Sequence, residues 1–173
     1  MLTELTIKDF ISKVISNDPV PGGGSVSALN GALAAALSAM VANLTVGRKK
    51  YVEVNDLMQE LSARFEKLSQ KLIEDVDRDS DAYNRVFAAF KLPKETDEEK
   101  QVRSEAIQRE TKYAAQVPME VARAVYEVLP QIDAIAQKGN SNAVTDACVS
   151  MMCARTAILG ALLNVRINLS SIK

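Results

Sequence analysis

With 21 basic and 22 acidic side chains in 173 residues, the chain has a net charge of −1, which excludes global attraction to nucleic acid or an anionic membrane. It contains no histidine, so the commonest general base and the commonest metal ligand are both excluded, and chemistry has to rest on carboxylates, lysines, amides or hydroxyls. The length suits one domain, residues 1–173, with a sizeable core.

In chain order, Thr6 and Asp9 mark a capped start, and Ile7, Phe10, Ile11, Val14 and Ile15 follow at helical spacing. The stretch 19–51 opens on a Pro-Gly turn, runs uncharged to Gly47 and ends in Arg48, Lys49 and Lys50. Its helix is expected from Gly24 or Ser25 to about Val46. The length would suffice to cross a membrane. Its residues are mainly Ala, Ser, Gly and Asn, however, which suits a helix enclosed by other helices better than one facing lipid, so no membrane partner is expected.

A long helix is predicted from about Val52 to Leu92, with the stripe Leu57, Leu61, Phe65, Leu68, Leu72, Val76, Tyr83, Phe87 and Phe90. The steps are three or four residues except for one of seven, whose missing rung is Asp79. Leu92 and Pro93 stop this helix, and a capping box from Thr96 to Glu99 opens a fourth, expected to reach Gln137 with a kink or break at Pro118. Gly139 ends it. The last helix, from Ser141 or Asn142 to Asn168, is apolar on most sides.

These elements predict an all-α, up-and-down bundle of about five helices, three of them long. Two of the helices are apolar nearly all round, more than one small bundle can bury, so a homodimer or larger homo-oligomer is expected. Cys148 and Cys153 lie five apart in an apolar segment and suggest no disulfide or metal clip; with no secretory signal at the start, a reducing cytoplasm fits.

Four places offer chemistry. Gly22, Gly23, Gly24 and Ser25 let the backbone approach a ligand and precede a helix N-terminus, though a plain capped turn would look the same. Asp79 puts a carboxylate on a core face, which demands either a buried pairing or an acid/base role in a cleft. Asn140, Asn142 and Asp146 crowd the start of the last helix, where capping and the helix dipole also favour them. Arg48, Lys49 and Lys50 form either an anion patch or a solvated helix end, and Lys94 lies in the connection after the long helix, beside the capping box.

Together, residues 19–51, VDRDSDAY (76–83), KLPKETDEEKQVR (91–103), the VP at 117–118, KGNSNAVTDA (138–147) and NVRINL (164–169) resemble the cyclodeaminase domain of the formiminotransferase-cyclodeaminase family and its stand-alone bacterial relatives, in family order over nearly the whole chain. The resemblance implies an all-helical homodimer or assembly of dimers, a tetrahydrofolate derivative as substrate, and no permanently bound cofactor or metal. The expected reaction is formiminotetrahydrofolate cyclodeamination; the alternatives are methenyltetrahydrofolate cyclohydrolysis and non-catalytic folate binding. An aspartate in the family's VDxD element is its cyclodeaminase residue, and the match here is Asp79. The glycine turn, Asn140, Asn142 and Asp146 are then expected at the pterin ring, and Arg48, Lys49 and Lys50 at the glutamate tail. The chain lacks a formiminotransferase domain, and it stops soon after NVRINL, where family members commonly add a helix.

Overall fold

The computed structural model describes residues 1–172. The described residues form an all-helical bundle without strands: α1 (Ile7–Ile15), α2 (Gly23–Thr45), α3 (Asn55–Phe90), α4 (Asp97–Tyr126), α5 (Leu129–Lys138) and α6 (Val144–Leu169), with short 3₁₀ turns at Leu2–Glu4, Lys49–Val54 and Ser141–Ala143. Thr6 caps α1 through the amide of Asp9, and the Thr96/Glu99 capping box opens α4, as their spacing predicts.

Small side chains make α2 the central helix. Ala28, Ala32, Ala35, Ala39 and Ala42 are buried, and α3 and α6 pack closely against them, with Phe65, Leu72 and Val125 filling the space between. The polar residues of α2 are satisfied within that core: Ser38 and Ser150 share a hydrogen bond of 2.8 Å, and Thr45 Oγ1 donates to the carbonyl of Val41. Both α2 and α6 are long and apolar enough to cross a membrane; within the chain, 61% of the apolar window of α2 is buried, but only 28% of that of α6.

Three expectations are corrected. The single fourth helix is two, and the break lies at Glu127 and Val128, where Pro130 sits in the first turn of α5. No break occurs at Pro118: the carbonyl of Ala114, four residues earlier, loses its backbone donor to the proline but accepts a hydrogen bond of 2.9 Å from Asn168 Nδ2 on α6. Asn168→Leu removes that donor from a buried carbonyl and is expected to lower stability by about 1–3 kcal/mol, read by urea unfolding.

The amphipathic α1 buries no residue. Ile7 and Ile15 are 82% and 79% exposed, and its inner side frames an open apolar groove of about 510 Å³ over Val26, Leu29 and Ile73.

The stripe of α3 is buried only as far as Val76, while Tyr83, Phe87 and Phe90 are exposed. The antiparallel α2 begins at Gly23, level with Asp79, so α3 outruns the helix that would cover its apolar face.

Candidate active site

Asp79 lies where α2 begins. Gly24 passes so close that a Cβ there would overlap the Asp79 carboxylate, and Ser25 Oγ donates to Asp79 Oδ2 at 3.0 Å. The glycine run therefore has a specific use: it lets the amide-bearing first turn of α2 close on a carboxylate from α3. Burial raises the Asp79 pKa above the ordinary carboxylate range, and the side-chain and backbone hydrogen bonds from Ser25 pull it partly back. The result is a half-buried carboxylate with one hydrogen-bonded oxygen and a raised proton affinity.

The carboxylate opens into a cavity of about 320 Å³. Pro19, Val20 and Gly22 to Gly24 form one wall, Tyr83 and Val86 continue it along α3, and Ala114, Asn164, Ile167 and Asn168 close it from α4 and α6. The Val20–Pro21 peptide in this wall is cis. Apolar walls with one carboxylate and two amides can hold a flat heterocycle, hydrogen-bond its edge and move a proton at one atom. None of the lining residues is basic. The larger groove beneath α1 has no titratable side chain in its lining, so it offers no acid/base chemistry.

The remaining predicted residues divide by location. Gly22, Gly23, Gly24 and Ser25 join Asp79. Arg48, Lys49, Lys50, Asn140 and Asn142 surround a separate cavity with Tyr51 and Ser141. That cavity lies past the far end of α2, and the helix from Gly24 to Thr45 is about 32 Å long at about 1.5 Å per residue. Within one protomer it cannot share a small ligand with Asp79.

At that far end Asn140 caps the chain: its Nδ2 donates to the carbonyl of Leu44, its backbone amide donates to Thr45 Oγ1, and its Oδ1 accepts from the amide of Asn142. Tyr51 bonds Ser141 through both side chain and backbone, contacts that lower its hydroxyl pKa. Asp146 occupies the first turn of α6 at the same end, consistent with the helix dipole. Lys94 is exposed in the connection between α3 and α4.

Sequence reasoning missed Asn164, Asn168 and the cavity-lining position of Tyr83. The signal was available: two asparagines four apart in an apolar helix are as conspicuous as an aspartate in an apolar stripe. It also missed Asp75, which is fully buried yet paired with Lys71 (2.7 Å) and Arg78, and Arg78 reaches on to Glu120 of α4. Asp75 is thus a structural ion-pair centre, whereas Asp79 one turn later has no cation on it among the described residues.

A family model described as formiminotransferase-cyclodeaminase matches residues 6–173. The chain is 40% identical over 163 residues to the methenyltetrahydrofolate cyclohydrolase of Methylorubrum extorquens, across 94% of this chain and 78% of that one. It is 36% identical over 168 residues to the formimidoyltransferase-cyclodeaminase of Rattus norvegicus, across 97% of this chain but only 31% of that longer protein. The crystal structure of formiminotetrahydrofolate cyclodeaminase from Thermotoga maritima aligns with a TM-score of 0.88 at 31% identity, across 100% of this chain and 82% of that one. Sequence and bundle agree across the whole described chain, including the elements that build the Asp79 cavity, and the chain belongs to the formiminotransferase-cyclodeaminase family through its cyclodeaminase domain.

Proposed function

We propose that this chain converts 5-formimino-tetrahydrofolate to 5,10-methenyl-tetrahydrofolate and ammonia, with Asp79 moving the protons. Its kinship makes it an enzyme of folate one-carbon chemistry. The observation that carries the step is Asp79 itself: a half-buried carboxylate of raised pKa, without a counter-ion among the described residues, at the mouth of a cavity sized for a heterocycle.

The pterin lies in that cavity, with its edge toward Asn164 and the amides of the glycine turn. N10 attacks the formimino carbon and forms the second C–N bond of the bridge. The formimino group reacts as its protonated amidinium; Asp79 takes the N10 proton and delivers it to the exocyclic NH2, which leaves as ammonia while the bridging carbon keeps the positive charge as the methenyl cation. Holding N10 and the formimino carbon in contact supplies much of the acceleration, and the apolar walls keep water from the cation. No resident cofactor or metal takes part.

The relationship to the cyclohydrolase of Methylorubrum extorquens favours a second reading, in which water opens the methenyl bridge in the same cavity and Asp79 accepts the proton of the attacking water. One experiment separates the two. Purified protein is given 5,10-methenyl-tetrahydrofolate and, separately, 5-formimino-tetrahydrofolate, and the methenyl absorbance is followed. A gain with the formimino substrate is the expected result; a loss with the methenyl substrate establishes the hydrolytic reading. No change with either, from folded protein, refutes both and leaves a non-catalytic folate binder.

The assembly proposed is a homodimer or larger. α6 presents Leu159, Leu163 and Ile167 at 51%, 66% and 66% exposure, an apolar face suited to a second copy. The free thiols of Cys148 and Cys153 fit a reducing, cytoplasmic setting.

A further inference from the structure

The Asp79 cavity poses a charge problem. A folate carries a dicarboxylate at the far end of an aryl amide, no basic side chain lines the cavity, and the Arg48 to Lys50 cluster lies at the opposite end of α2. The ligand's tail has to leave the cavity toward cations that lie closer.

One path fits. Beyond Asp79 the same face of α3 carries Tyr83, Phe87 and Phe90, which are 39%, 50% and 51% exposed. Tyr83 lines the cavity and stacks on Phe87, with centroids 6.4 Å apart and planes inclined by 13°. The rings end in cations. Lys91 Nζ lies 4.2 Å from the centroid of Phe87, and the Arg103 guanidinium lies 5.6 Å from that of Phe90 while donating to its carbonyl oxygen. Lys94 follows in the connection to α4.

Lys91, Lys94 and Arg103 form no ion pair among the described residues. The nearby carboxylates of Glu99 and Asp97 are engaged in the first turn of α4, by the amides of Glu95 and Thr96 and by Lys100 respectively. From Asp79 to Lys91 the helix covers about 18 Å at about 1.5 Å per residue, within the reach of a single small ligand.

The order is carboxylate, aromatic rings, cations. A reduced pteroylglutamate presents its groups in the matching order: reacting atoms, aryl ring, carboxylates. Resting on the folate reading above, we infer that the exposed α3 face from Tyr83 to Phe90, with Lys91, Lys94 and Arg103 at its end, is the subsite for the aryl-glutamate tail. The aryl ring packs on Phe87 and Phe90, and the glutamate carboxylates meet the cations. This gives the uncovered half of the α3 stripe an occupant.

The test measures equilibrium binding of 5-formyltetrahydrofolate and of 5-formyltetrahydropteroate, which lacks only the glutamate, by calorimetry. The wild type is expected to prefer the folate about tenfold, as charged hydrogen bonds to the tail imply. Lys91→Gln/Lys94→Gln removes two exposed charges and is expected to erase the preference by weakening the folate alone. Phe87→Ser is expected to weaken both ligands severalfold; melting curves establish that both variants fold. A preference that survives in the double variant overturns the inference, as does equal binding of the two ligands by the wild type. Should the substitutions instead turn dimers into monomers in sedimentation with the ligand preference intact, the face belongs to a second copy and the inference falls. Failure of the wild type to bind either ligand overturns the folate reading itself, a result distinct from the others.

Discussion

Asp79→Asn leaves a folded protein whose turnover falls by about 10²- to 10⁴-fold, the usual worth of a positioned acid/base. The amide keeps the size of the carboxylate and can still accept from Ser25 Oγ, so the cavity wall and the α2–α3 contact are preserved. What is lost is the exchangeable proton. The pH dependence gives a second readout. Because burial raises the folded-state pKa of Asp79, the acid limb of the wild-type kcat/KM profile is expected above the ordinary carboxylate range, with activity falling as pH drops through it.

Stability has the opposite sign. A raised folded pKa means that the native state holds this proton more tightly than the unfolded chain does. The stability it contributes is present at low pH and lost as pH rises through the folded value. The Asn variant, neutral throughout, is therefore expected to melt with the wild type in acid and to gain an advantage as pH rises through the folded-state pKa of Asp79, constant above it. Full turnover by Asp79→Asn would remove Asp79 from the mechanism, whereas unaltered ligand binding with no wild-type rate to lose would identify a binder.

Gly24→Ala is expected to lose both stability and activity, against the ordinary rule. In a helix, Gly→Ala normally stabilises by about 0.5–1 kcal/mol. Here the new methyl would occupy the space of Asp79 Cγ and both its oxygens, and a side chain as short as aspartate cannot swing its end away without breaking the Ser25 bond. Overpacking of this kind costs about 1–3 kcal/mol, and moving the carboxylate by about 1 Å is enough for a 10²-fold loss of rate. The cause can be isolated by a double-mutant cycle: in the Asp79→Ala background the same Gly24→Ala change should become neutral or stabilising. A Gly24→Ala protein that melts higher with unchanged kcat/KM would show that the close approach of α2 to Asp79 is not needed.

Much of the fold was legible because local rules and tertiary outcome agree. The capping residues Thr6 and Thr96 start the helices they predict, the uncharged stretch from Gly23 becomes the buried α2, and the gap at Asp79 marks a residue that does face a cavity. Pro118 does not break α4, for a definite reason. The carbonyl it deprives of a partner is supplied by Asn168, a donor 54 residues away that no local pattern connects to it.

By itself, then, the sequence determined where most helices start, which faces are apolar and which carboxylate is out of place, since each follows from capping residues or spacing along a regular helix. Only the tertiary structure decided what those faces meet. The staggered start of α2 at Gly23 places an amide-rich helix end on Asp79 and leaves Tyr83, Phe87 and Phe90 without a covering helix. The length of the same helix puts Arg48, Lys49 and Lys50 at the far end from Asp79, although in sequence they are closer to the glycine turn than Asp79 is. Sequence separation does not measure distance once a rigid helix of about 32 Å intervenes, and two residues share a site only where antiparallel packing brings their ends level.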